Sequence, residues 1–178
     1  MLFVVFIIVF LLASLLTGGR LSYISGHSVR FLWMPILAYA LRFALPILMP
    51  RVGLAEPSEL VTCCAQYALL VIFSIANLRR GLWSAVFGIG ALSNFAVILA
   101  NGGVMPVAVS ALARLSEEYA KQLIDGSIFA YAVEDARTKL MPLGDIIYIY
   151  FGYASVGDVL LSLGAGMFCW HMTRRPKK

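Results

Sequence analysis

The chain is poor in charge. Only 13% of its 178 residues are Asp, Glu, Lys or Arg, and nine of them are acidic. A soluble domain carries about 25% charged residues, so a water-solvated fold is excluded as the main architecture. Cysteine is scarce too, at three residues: Cys63, Cys64 and Cys169. They form no CxxC pair and sit in apolar runs, where a thiol packs as a small hydrophobe. With two histidines, His27 and His171, far apart in sequence, no metal-ligand spacing emerges. Phosphate-loop, HExxH and GxSxG motifs are also missing. No metal and no cofactor is therefore expected.

What is present is apolar residue, at 61% of the chain, with a mean hydropathy of +0.89. The composition points to an all-α polytopic membrane protein with the lipid bilayer as its main partner. The net charge of +5 is then a matter of topology, and nucleic acid is not expected as a partner. We expect one membrane domain over residues 1–178, with about five transmembrane helices. The spans fall at 1–17, 31–50, 59–78, 82–100 and 156–172, and an outer segment occupies 101–154. The first run lacks the basic n-region of a secretory signal, so it reads as a retained span. Residues 31–50 are less regular, with Arg42, Pro35, Pro46 and Pro50. They are read as a kinked span or an interfacial helix.

Charge placement orients the scheme. With five spans and the N-terminus outside, the cytoplasmic pieces hold Arg20, Arg30, Arg79, Arg80, Arg174, Arg175, Lys177 and Lys178, and no acid. The outer pieces hold Arg51, Arg114, Lys121, Arg137 and Lys139 with Glu56, Glu59, Glu117, Glu118, Asp125, Glu134 and Asp135. This bias obeys the positive-inside rule and predicts a cytoplasmic C-terminus. Glycines 81, 88, 90, 164 and 166, with Ser93, read as helix-packing positions.

The outer segment opens with the breaker run Asn101-Gly102-Gly103 and Pro106. A helical pattern over 107–123 predicts an extracytoplasmic amphipathic helix closed by Asp125-Gly126. A turn or short helix holding Phe129, Tyr131 and Val133 is expected after it. Two aspartates then stand in an apolar run, Asp145 and Asp158. Ser155-Val156-Gly157-Asp158 has capping-box form, which starts the last span near Ser155. Asp145 reads as capping or preceding a short interfacial piece, IIYIYFGYA. Both aspartates are then boundary residues, relieved of the cost of burial. If they meet, they share a proton and activate water. Thr138 or Asn101 is placed to donate hydrogen bonds to such a pair. Glu134, Asp135 and Arg137 lie near Asp145 in sequence, and Arg137 with Asn101 is a candidate for substrate contact.

Three groups of residues carry a resemblance: Asn101-Gly102-Gly103-Val104-Met105-Pro106, Glu134-Asp135-x-Arg137 followed by Leu143-Gly144-Asp145-Ile146-Ile147, and Ser155-Val156-Gly157-Asp158. On these, the chain resembles a bacterial multi-pass membrane family known only as a domain of unknown function. The resemblance implies a multi-pass protein of a bacterial inner membrane and brings no activity. Locally, the two aspartate motifs and Asn101-x-Gly103 are also similar to lipoprotein signal peptidase. That likeness implies Asp145 and Asp158 as a catalytic dyad and Asn101 as a substrate contact. The signal peptidases place two spans between their Asn motif and first aspartate, whereas residues 102–144 are polar here, and Ser155 and Gly157 replace the usual asparagine and alanine.

The expected function is a non-catalytic accessory or scaffold protein with a capped outer motif region, possessing a membrane protein partner. The alternative is an intramembrane aspartic hydrolase acting on a lipid-anchored substrate through Asp145 and Asp158. A transporter using Arg42 as a buried counter-charge is the third reading.

Overall fold

The structure is a computed structural model that describes residues 2–53, 55, 58–150 and 152–175. The sequence-based readings for Met1, Glu56, Phe151, Lys177 and Lys178 lie outside the described residues.

The helices are α1 (Leu2–Leu16), α2 (Trp33–Arg51), α3 (Glu59–Asn77), α4 (Leu82–Ala100), α5 (Glu117–Ile124) and α6 (Val156–Met172). Three stretches, Trp33–Arg51, Glu59–Arg80 and Leu82–Ala100, are long and apolar enough to cross a membrane. Helices α1 and α6 are apolar but shorter. The run expected to be kinked or interfacial is one helix, α2, with Pro46 and Pro50 inside it. Its Ile36, Phe43 and Ile47 face outward, as suits a helix solvated by lipid.

The long helices pack in the spatial order α2, α3, α4, α6, α1. Close approach of α4 and α6 explains two of the glycines. A Cβ on Gly90 would stand 2.6 Å from the Leu161 backbone nitrogen, and one on Gly164 would stand 2.6 Å from that of Phe87. Such contacts are closed to any side chain, so small residues set the helix spacing. Two buried serines in the bundle pair with each other's backbone. Ser74 Oγ–H donates to the Ser84 carbonyl at 2.7 Å, and Ser84 Oγ–H returns the bond to the Ser74 carbonyl at 2.6 Å. The surrounding core is built from Leu70, Phe73, Trp83, Phe87 and Leu161.

At the end of the bundle where α4 finishes and α6 starts, residues 101–155 form a cap. Its described residues contain four short strands, so the architecture is helical but not wholly so. β1 (Met105–Val107) pairs in parallel with β2 (Tyr131–Val133), and β3 (Ile147–Ile149) pairs antiparallel with β4 (Gly152–Ala154).

One expectation for this region is corrected and two are refined. The single helix over 107–123 is a strand end, a 3-10 turn (Val109–Arg114) and α5. Ser116 is the reason: its Oγ caps α5 by accepting from the Tyr119 N–H at 3.3 Å, and a strong N-cap begins a new helix. Of the turn or short helix expected around Phe129, Tyr131 and Val133, Phe129 lies in a turn, while Tyr131 and Val133 lie on β2 at the two-residue spacing of a strand. The interfacial piece after Asp145 is the β3–β4 hairpin, built from alternating Ile and Tyr.

Gly103 ties the cap to the bundle. Its φ is +111°, and its α-carbon lies against the Leu60 backbone at the start of α3. Glu59 reinforces the joint, accepting from the Ala130 N–H at 2.7 Å.

The opposite end of the bundle gathers arginines. Arg80 Nη1 donates to the Ser28 carbonyl at 2.7 Å, and Arg174 Nη1 donates to the Thr17 carbonyl at 2.8 Å. His27 and His171, distant in sequence, meet here with ring centroids 4.8 Å apart.

Candidate functional site

The two aspartates differ in what holds them. Asp158 sits in the first turn of α6. Ser155 Oγ accepts from the Asp158 N–H at 2.9 Å, and Asp158 Oδ2 accepts from the Ser155 N–H at 3.2 Å. This is the expected capping box. A residue not singled out from sequence, Asn94 of α4, completes it. Its Nδ2–H donates to Asp158 Oδ1 at 2.7 Å, and its Oδ1 accepts from Ser155 Oγ–H at 2.7 Å. Both carboxylate oxygens of Asp158 are thus committed to locking the start of α6 onto α4.

Asp145 has no such role. Its backbone extends the β2–β1 pair as a third, parallel rung opposite Val107. The Asp145 N–H donates to the Pro106 carbonyl at 2.9 Å, and its own carbonyl accepts from the Ala108 N–H at 3.2 Å. The residue is only 5% exposed, and its Oδ1 is buried without a hydrogen-bond partner among the described residues. The expectation of an inexpensive boundary carboxylate is therefore corrected: the strand rung draws Asp145 inward. Burial, with the charge of Asp158 second, pushes its pKa up to about 8. A buried carboxyl without hydrogen-bond partners prefers its neutral form.

Asp145 lines a cavity of about 390 Å³. Four tyrosines share the lining: Tyr119 from α5, Tyr131 from β2, and Tyr150 and Tyr153 from the hairpin. The Tyr153 ring packs edge-on against Tyr148 at 5.5 Å. Arg114 also borders the cavity, but its guanidinium lies over the Tyr148 ring at 5.1 Å. Tyr131 is a largely covered part of the wall. Burial first, and the Asp145 charge next, push its hydroxyl up to about 12, so it stays a neutral donor. On the bundle side, Arg42 of α2 lies 5.9 Å from the Tyr131 ring centroid, and its Nη1 is buried without a partner among the described residues. Arg42 thus lies under the cap beside the pocket wall.

Asn101 and Arg137 are brought together, but elsewhere. Both line a second depression of about 370 Å³, which Asp145 and Asp158 do not touch. Asn101 works there as a clamp: its Nδ2–H groups donate to the Val97 and Lys139 carbonyls at 2.7 and 2.8 Å, and its Oδ1 accepts from the Lys139 N–H at 2.9 Å. Thr138, considered as a donor to the aspartates, donates to Asp135 Oδ1 at 3.1 Å instead. The backbone N–H of Arg137 also bonds that oxygen, and these bonds hold the exposed Asp135 carboxyl below its ordinary pKa.

Sequence reading misses the tyrosines because they reach the pocket from three separate segments. The density of tyrosine between residues 148 and 153, on a strand-like alternation, is the available signal. For Asn94 the signal is plainer, since a polar amide in an apolar span demands a partner.

Apolar helices long enough to cross a membrane, a tight α4–α6 seam and a polar cap over one end fit a helical membrane protein. The chain belongs to the family described as Family of unknown function (DUF5317), whose model matches residues 26–170. No curated protein and no solved structure matches the chain.

Proposed function

We propose that the protein is a non-catalytic membrane scaffold whose cap binds a small organic cation, with Asp145 as its counter-charge. The observation that carries this reading is the Asp145 carboxyl, 5% exposed, on a tyrosine-lined cavity and with one oxygen unpartnered among the described residues. The positive charge of an ammonium group, quaternary or not, would pair with the ionised carboxylate. Tyrosine rings stabilise such a cation through their electron-rich faces, by about 0.5–2 kcal/mol per well-placed ring. The rim guanidinium of Arg114 is turned onto Tyr148, which leaves Asp145 as the charge available to the ligand.

Ligand entry is coupled to proton loss. With a pKa of about 8, Asp145 is mostly neutral at pH 7, and the cation must displace its proton. Affinity then falls roughly tenfold per pH unit below 8. Titration calorimetry with choline, and with its uncharged tert-butyl analogue, tests the reading. Choline binding by the natural protein, absent for the analogue and lost in Asp145→Asn, is expected. Equal binding of both compounds would count against it.

The membrane arrangement belongs to the same proposal. Arg20, Arg30, Arg79, Arg80, Arg174 and Arg175 favour a cytoplasmic location for the end opposite the cap. The cap then faces outward from a bacterial inner membrane, with the N-terminus outside and α1 and α6 as the additional spans.

A second reading is an aspartic hydrolase, supported by the charge of Asp158, which adds to burial in raising the Asp145 pKa. In that reading Asp145 and Asp158 activate water, while Asn101 and Arg137 contact a lipid-anchored substrate. It requires Asp158→Asn to abolish activity. The binding reading instead expects Asp158→Asn to weaken the α6 cap and to leave choline binding in place.

A further inference from the structure

The arginine-rich end of the bundle carries a site of different chemistry. A depression of about 440 Å³ is bordered by Arg79, Arg80, Arg174, Arg175, His27 and His171. No carboxylate of the described residues lines it, and residues 58–80 and 159–175 contain no acidic side chain beyond Glu59 at the far end of α3. Two of the guanidinium groups are held in place: Arg80 by Ser28, and Arg174 by Thr17 and by the Trp170 ring at 4.1 Å. The side chains of Arg79 and Arg175 are exposed and make no such bond among the described residues. Four like charges around one depression repel each other, and a multivalent anion relieves that repulsion. Guanidinium forks suit phosphate oxygens in particular.

A neighbouring groove says what the phosphate is attached to. It has a volume of about 470 Å³ and is lined by Phe10, Leu82, Trp83, Met167 and Trp170. His171 and Arg174 border both spaces, so the apolar groove and the basic depression are immediate neighbours. Trp83, only 3% exposed, keeps an Nε1–H without a partner among the described residues in the groove wall. A soluble phosphate would use the depression and leave the groove uncovered. An amphiphile fills both.

We propose that this end of the bundle is a specific site for a lipid with a phosphate headgroup, its acyl chain in the Trp83–Trp170 groove and its phosphate among Arg79, Arg80, Arg174 and Arg175. The site is independent of the Asp145 pocket at the other end.

Tryptophan quenching tests this, because two tryptophans line the groove. The protein is reconstituted in phosphatidylcholine vesicles containing brominated phosphatidic acid or, separately, brominated phosphatidylcholine. Stronger quenching by phosphatidic acid at equal mole fraction is expected. The double variant Arg79→Gln with Arg175→Gln should lose most of this preference, at about fivefold per arginine. A control with the same charge loss elsewhere, Arg51→Gln with Lys121→Gln, should keep it. Equal quenching by the two lipids would overturn the proposal, as would an equal loss in the control. Inorganic phosphate in large excess should leave the preference intact. Abolition of the preference by inorganic phosphate would assign the depression to a soluble anion and overturn the lipid.

Discussion

Substituting Asp145 by asparagine isolates the cost of one buried carboxyl. The wild-type group has a pKa of about 8 in the folded cap against an ordinary 3.8. Between these values the folded chain holds a proton that the unfolded chain has released. Stability therefore falls by about 1.4 kcal/mol for each pH unit gained. The contribution is complete below about pH 4 and lost above about pH 8, a span of roughly 5–6 kcal/mol. The side-chain amide of the Asp145→Asn variant cannot ionise, so this slope disappears. Other groups titrate in the same range, but they do so in both proteins. The informative quantity is thus the difference in unfolding free energy between variant and wild type, measured in detergent by SDS titration. From pH 5 to pH 7 the difference should move by about 3 kcal/mol in favour of Asp145→Asn. Parallel pH profiles for the two proteins would refute the reasoning, since they would mean that Asp145 is hydrated or paired in the folded state.

Other perturbations separate the packing argument from the electrostatic one. Asn94→Ala removes a bond to Asp158 and a bond from Ser155, and two broken bonds of this kind should cost about 2–4 kcal/mol in the same unfolding assay; an unchanged midpoint would show that the α6 cap does not depend on α4. Gly164→Ala places a Cβ against the Phe87 backbone and should destabilise by about 1–3 kcal/mol, with tolerance of alanine arguing for a looser α4–α6 seam. Ser116→Ala removes the α5 cap and should cost about 1 kcal/mol, seen as faster amide exchange in residues 117–124.

The parts of this fold that are legible in the sequence are the local ones. Long apolar runs name α2, α3 and α4, because a helix that satisfies its own backbone needs no distant partner in lipid. Ser155-x-x-Asp158 names its capping box for the same reason: both residues lie within one helical turn. Asp145 is misjudged because its position depends on a rung formed with Val107, far earlier in the chain. Nothing near Asp145 in sequence encodes that rung. Helical periodicity across 107–123 misleads because Ser116 divides two structures whose apolar residues fall on one apparent face. The pocket itself is a product of tertiary convergence, with walls from α5, β2 and the hairpin. Its chemistry becomes readable only when one carboxyl and four tyrosines are seen to share a cavity.

The central claim is that Asp145 is the charge that receives a cation in the cap. Proton release on ligand binding tests it most directly. Choline is titrated at pH 7 in buffers of different ionisation enthalpy, and the protons released per ligand follow from the slope of the observed heats. A pKa of about 8 predicts that more than half a proton leaves for each choline bound, and that Asp145→Asn releases none. Binding of choline by the wild-type protein with no proton release, or with the same release in the variant, would contradict the account.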